Sequence, residues 1–425
     1  AFQAIDEILT ADHDYARQDR YYRKMLVRAR QHRLDDALVI SLARNLGEIN
    51  RSRLANYAEA IKAYEIVARK RPDDRPTRAL LTELYALEGD HQAAVKQAFS
   101  LVRLDPTDPG GYRELARRHL DAGHLDGAWC ASQALVVLGQ ANADERRFYD
   151  EGRRHSTAQA QRSLDAGDWA LLTWAGRSQA IDGVLLATHE ITGPLLARTP
   201  KALGLHPRKD QLDLDAPSDL GQILKYTQQV TGVTVASAWL SPTTVGLGVA
   251  DLWPPGLLVA PDMASAGFAE AAARGARALY LASVQHILAS GDPDPLRARQ
   301  RVLGVIAASL ALVAPQLEVP AEAKLVEALG KLTAGRRADL EAAVPGLPQP
   351  LDQGVEAWFE AVEHTANRLA LLVSCDLATV ARLIRDEPHP LVGDPATRLR
   401  ALLLFAVSPQ YTELRKRLGL NVPQR

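Results

Sequence analysis

The chain has 425 residues, of which 47% are hydrophobic and 24% charged, and its formal net charge is −1. A chain of that length divides into two or three domains with separate cores, and its near-neutrality argues against a dedicated polyanion binder. The two cysteines, Cys130 and Cys375, lack CxxC spacing, so they read as buried residues in a reducing compartment and not as a disulfide framework or a zinc site.

No secretory leader pattern opens the sequence, and its longest apolar run, Val302 to Ala314, is shorter than the roughly 20 residues that span a bilayer. The expectation is a soluble cytoplasmic protein with no membrane contact. The pattern begins in mid-helix at Ala1, as the tail of a longer repeat protein would.

From the N-terminus, residues 1–34 predict an irregular helical hairpin. Ala60, Ala94 and Ala128 then recur at intervals of 34, and Pro72 and Pro106 keep the same interval. In the clearest unit, Arg75 to Asp108, helix A carries Leu81, Leu84 and Tyr85. A turn follows at Glu88-Gly89-Asp90, and helix B carries Ala94, Ala98, Leu101 and Val102. The next unit has Tyr112, Leu115 and Ala116, a turn at Ala122-Gly123-His124, then Ala128 and Leu135. The preceding unit has Leu42, Leu46 and Gly47, then Ala60, Tyr64 and Val67. Small residues belong where paired helices cross closely, and large ones fill the neighbouring holes. The pattern resembles the tetratricopeptide repeat, with Thr82 in the middle unit where the others have Gly47 and Ala116. Asp144 to Asp165 predicts a polar capping helix, so the first domain is 1–165.

Helix A positions off the packing face predict a concave protein-binding surface: Arg44, Glu48, Glu83, Arg113 and Arg117. Individually, such charges are ordinarily a solvated face. Arg17, Arg20, Arg23, Lys24, Arg28, Arg30 and Arg33 interleave with Tyr15, Tyr21 and Tyr22, a mixture that can bind nucleic acid. The helical spacing of Tyr22, Met25 and Leu26 favours instead an amphipathic helix packed in the array, so nucleic acid is the lesser reading.

After the cap the composition shifts toward Pro, Gly and β-branched residues. Gly232–Leu240 and Gly256–Ala260 predict strands, and helices follow at Ala269–Ser290, Asp294–Ala314, Ala321–Ala334, Leu351–Val373, Leu377–Asp386 and Thr397–Leu418. The fold class is therefore mostly α: a helical-hairpin array at 1–165, then a helical α+β domain with a small sheet at 170–425.

The order of helix, short strands, long helix and a later helix bearing Glu363, Ala366 and Asn367 resembles myxobacterial repeat proteins. So do Leu404-Phe-Ala-Val-Ser-Pro-Gln-Tyr411 and Leu414-Arg-Lys-Arg-Leu418. Their C-terminal domain is similar to a degenerate gluzincin metallopeptidase of the HtpX type. That chemistry needs two His four apart on one helical face, a Glu beside the first, and a third ligand from a later helix. The resemblance implies that Glu363-His-Thr-Ala366-Asn367 is the later piece, with Asn where the family has Asp. The helix expected to carry the metal reads Arg277-Ala-Leu-Tyr-Leu281, so both His ligands and the catalytic Glu are missing. Arg277, Glu363 and Asn367 form the relic site, and an Arg277–Glu363 salt bridge in place of the metal is one expectation.

Other chemistry has less support. His189-Glu190 has Gly193 where a second ligand belongs, Gly246-x-Gly248 does not precede a helix, and Walker A and Gly-x-Ser-x-Gly sequences are absent. His286 and His364 lie on amphipathic helices, where a satisfied structural role is commoner than ligation. Trp174, Trp239, Trp253 and Trp358 read as core, with Trp253 the most exposed. The expected function is a non-catalytic protein-interaction scaffold that needs neither cofactor nor metal, with protein partners and possible self-assembly. The alternatives are a divergent metal-dependent hydrolase using Glu363 with His286 or His364, and nucleic-acid association through Arg17–Arg33.

Overall fold

The computed structural model describes residues 2–155, 159–214 and 217–422. The chain forms two compact units, Ala1–His155 with Val422–Arg425, and Ser156–Asn421. It is mostly α-helical with a small four-stranded sheet.

The first unit is a row of helices in which each packs on the next: α1 (Phe2–Ala11), α2 (Tyr15–Gln31), α3 (Asp36–Ser52), α4 (Tyr57–Lys70), α5 (Arg75–Leu87), α6 (His91–Leu104), α7 (Pro109–Asp121), α8 (Leu125–Val137) and α9 (Ala143–His155). The periodic alanines explain the close pairing, since Ala60, Ala94 and Ala128 are all fully buried. At the α3–α4 crossing a Cβ on Gly47 would stand 2.8 Å from the Tyr64 ring, so only glycine fits. Thr82 occupies the middle unit's small position without an unmet hydroxyl, because its Oγ1 donates to the Arg78 carbonyl at 2.8 Å. Gly89 and Gly123 end α5 and α7 with φ of +78° and +73°, the left-handed turn glycine adopts at least cost. Asp90 and Asp108 cap the helices that follow.

Charges tie successive hairpins of this unit together. Arg44 donates to Asp74 at 2.9 Å, Arg75 pairs with Asp108, and Arg113 donates to Glu145 at 2.8 Å.

The predicted cap stops earlier than Asp165. Helix α9 ends at His155 and is held by Trp129, which stacks on Tyr149 and donates to its carbonyl at 3.0 Å. Residues 159–165 belong to the second unit, where the Gln161 amide donates to the Leu418 carbonyl and the Leu164 amide to that of Val230. The boundary therefore falls at 155/156 and not between 165 and 170. At the other end, Val422 joins the first unit, its amide donating to Asp126 at 2.8 Å.

The second unit contains α10 (Ala166–Leu172), α11 (Gln179–Leu196), β1 (Gln211–Leu212), α12 (Asp219–Thr231), β2 (Ser237–Leu240), β3 (Leu247–Ala250), β4 (Gly256–Val259), α13 (Phe268–Leu281), α14 (Ile287–Ser290), α15 (Pro295–Val313), α16 (Ala323–Leu329), α17 (Ala334–Ala343), α18 (Leu351–Ser374), α19 (Leu377–Asp386), α20 (Pro395–Ala406) and α21 (Pro409–Arg417). The sheet order is β1-β2-β4-β3, with β2 and β4 parallel and the outer pairs antiparallel. Its core joins Ala238, Leu257 and Val259 to Leu224 of α12 and Leu279 of α13.

The predicted strand at 232–240 is shortened to β2, and β1 and β3 are additional. The predicted 269–290 helix breaks after Leu281, and the 397–418 helix breaks at Val407-Ser408, with Ser408 capping α21. Helices α13 and α18 pack side by side and bring residues 277 and 363 together.

Candidate functional site

Glu363 is fully buried near the middle of α18, and four donors converge on its carboxylate. Arg277 of α13 donates through Nη2 at 3.1 Å and Arg398 of α20 through Nη1 at 3.2 Å. Asn367, one turn along α18, donates through Nδ2 at 3.0 Å, and the Leu391 backbone amide does so at 3.1 Å. Both guanidinium groups also hold Glu387, just beyond α19, and Arg277 Nη1 donates to Asn367 Oδ1 at 3.0 Å. Two cations and two carboxylates thus close a neutral, interlocked network.

Burial alone would raise the Glu363 carboxyl, but the charges of Arg277 and Arg398 outweigh it and hold the group below the usual carboxylate range. Burial likewise opposes the charge on Arg277, and Glu363 and Glu387 reverse that effect.

The three residues of the expected relic site, Arg277, Glu363 and Asn367, therefore touch one another. Glu387 and Arg398, which complete the network, carry no motif in the sequence. These residues do not fit a zinc ion: the carboxylate meant to ligate it is saturated by two guanidinium groups, whose charge repels a dication. Among the described residues, no three His, Cys, Asp or Glu side chains are grouped to hold a metal.

The two histidines of the hydrolase reading face elsewhere. His286 is fully buried, with Nδ1 2.8 Å from the Tyr280 carbonyl and Nε2 3.3 Å from Arg177. Burial and the Arg177 charge push it down to about 4. His364 stacks on Trp174 with ring centroids 4.2 Å apart, and its Nε2 lies 3.6 Å from Glu360. Burial lowers its pKa too. Of the tryptophans, Trp358 and Trp239 are buried, and Trp253 is half-buried against Gly193 and His189.

Beside the network lies a cavity of about 660 Å³ whose walls include Leu247, Gly248 and Val249 of β3, Arg274, and the Pro388–Leu391 loop. The Leu391 amide bond to Glu363 anchors that loop. Among the described residues strand β3 is an edge strand, paired only to β4, with no further strand along its outer backbone groups. Arg274 and Arg382 share the Glu270 carboxylate, each at 2.9 Å.

In the first unit, most of the predicted surface charges are engaged. Arg44 and Arg113 make the ties between hairpins described above, Glu48 pairs with Arg51 at 2.9 Å and accepts from Tyr64, and Arg117 pairs with Glu114 at 2.6 Å. Glu83 is exposed and makes no ion pair among the described residues. On α2, Tyr22 and Leu26 are buried, while Arg23 pairs with Asp19 and Glu59.

No protein-family model matches the chain, and no curated protein matches it either. Among the described residues, no helix is long and apolar enough to cross a membrane.

Proposed function

We propose that the chain is a non-catalytic protein-interaction scaffold. The hairpin array would dock a protein partner, and the second unit would be a peptidase-like fold turned to binding or assembly. One observation carries this reading: the Glu363 carboxylate, on which metal chemistry would depend, is occupied by Arg277, Arg398, Asn367 and the Leu391 amide. A buried carboxylate locked between two guanidinium groups is neither a free ligand nor a free base. The cavity alongside has the size of a binding site, and the edge strand β3 offers backbone groups to an extended segment. A tetratricopeptide-type array that presents Arg44, Glu83 and Arg113 supports the docking role.

The cytoplasm is the proposed compartment, supported by a cysteine content of two in 425 residues. The test combines metal analysis with partner capture. The purified chain should carry no stoichiometric zinc and show no peptidase activity after zinc is added, and it should retain a specific protein from its native lysate only when the array is present. Zinc-dependent proteolysis abolished by Glu363→Gln would reverse the reading.

A further inference from the structure

Helix α2 carries a line of positive charge, in which Arg20 feels the neighbouring Asp19 carboxylate without forming an ion pair with it. Arg17, Arg20, Lys24 and Arg28 are all exposed and recur every three or four residues, so they form one stripe about 16 Å long. The stripe lies opposite the buried face of Gln18, Tyr22, Leu26 and Ala29. Among the described residues none of the four is in an ion pair, nor are Arg30 and Arg33. Elsewhere in the array most cations are paired, as Arg44, Lys70, Arg75 and Arg113 show.

Helix stability does not account for the stripe. Its neighbours at three and four residues are like charges, and each such pair destabilises a helix. Arg17 and Arg20 also stand near the positive end of the helix dipole, where Asp14 caps the Arg17 amide and the first turn itself has no acidic residue. A purely solvated face would mix signs, as the surrounding helices do.

We infer that this face docks an acidic segment of a protein partner, in effect a helix whose carboxylates recur at the same spacing. The inference rests on the scaffold reading and names a partner chemistry for it. A protein segment fits better than a nucleic acid because the positive surface is short and closed at both ends. Exposed Asp12 precedes it and exposed Asp35 follows it, so phosphates continuing past either end would meet carboxylates. The net charge of −1 supplies no wider attractive field.

The test is fluorescence anisotropy on the full chain with a labelled 20-residue helical peptide (a length of about 30 Å) bearing Glu at every fourth position. A Gln version of the peptide, a DNA duplex of equal length and vesicles containing anionic lipid serve as comparisons. The Glu peptide should bind, should weaken with added salt, and should lose at least roughly tenfold in affinity with R17E/R20E/K24E/R28E. The milder R20Q/K24Q should show a smaller loss and covers the case in which the reversed chain does not fold. No binding of the Glu peptide, equal binding of the Gln peptide, equal affinity in folded variants, or tighter binding of the duplex or vesicles would each overturn the inference. A native partner retained equally by wild type and R17E/R20E/K24E/R28E also overturns it, while the scaffold reading stands. A wild-type chain that retains no partner at all removes both.

Discussion

Arg398 and Glu363, 35 residues apart in the chain, are both essentially excluded from solvent and meet at 3.2 Å. Neither could be buried alone, and Arg398 also holds Glu387 and the Ile384 carbonyl. Replacing one member should therefore harm far more than an ordinary charge deletion. Arg398→Met should destabilise the second unit by about 3–5 kcal/mol, visible as a drop in its thermal midpoint. Adding Glu363→Gln should restore part of the loss. A double-mutant cycle with no coupling would contradict the network.

Acid should act on both units through buried histidines. His286 in the second unit and His119 in the first are each pushed down to about 4, chiefly by burial. An unfolded histidine takes up its proton near 6.5, so the unfolded state binds more protons between pH 6.5 and 4. Stability is therefore full above 6.5, falls as pH drops to about 4, and stops changing on this account below that. Each residue contributes roughly 3 kcal/mol in total across that window. Urea unfolding at pH 7 and pH 5 measures it, and His119→Leu should flatten the dependence of the first unit.

Below that window Glu363 takes over. Its folded carboxyl lies below the ordinary value of 4.5, so the stability it brings is complete above about pH 4.5 and is lost as pH falls through the depressed value. Glu363→Gln should remove this acid-limb component while leaving the histidine limb intact, as unfolding curves below pH 4 would show.

Two glycine substitutions should have opposite signs. Gly47→Ala places a methyl 2.8 Å from the Tyr64 ring, which its hydroxyl ties to Glu48, and should cost about 1–3 kcal/mol. Gly304→Ala, in α15 with open space around it, should stabilise by about 0.5–1 kcal/mol through helix propensity. Thermal melts of both variants provide the comparison.

Arg44 and Arg113 separate binding from stability. Both are partly exposed, and exposed pairs contribute little, so each alanine variant should cost under about 1 kcal/mol. If the array docks its partner there, retention in a pull-down should fall while the melt barely moves. Unchanged retention would return both residues to the role of ties between hairpins.

The array was readable because its contacts are local: Ala60, Ala94 and Ala128 repeat the same crossing, and Gly89 and Gly123 mark the same turn. The second unit was less readable because tertiary contacts decide its details. Strand β1 is two residues long and exists through pairing with β2. Strand β3 contains Gly248, a weak strand former, and follows a turn-rich stretch. The break after Leu281 has neither Pro nor Gly. There Ser283 and His286 bond back to the Tyr280 carbonyl and divert the chain. At the buried network, Arg277, Glu363 and Asn367 came from a resemblance to a motif, whereas Glu387 and Arg398 carry no pattern of their own and are joined to it by the fold.

The same network has a consequence for how the chain reaches its native state. Hairpins that touch only their neighbours can assemble one after another, with little loop entropy lost at each step. The Glu363 carboxylate finds its full set of donors only when segments from 277 to 398 have come together, and long loops must close before any reward arrives. The second unit should therefore fold as a single late event. A nascent chain halted short of Arg398 would hold Glu363 and Glu387 with half of their counter-charge.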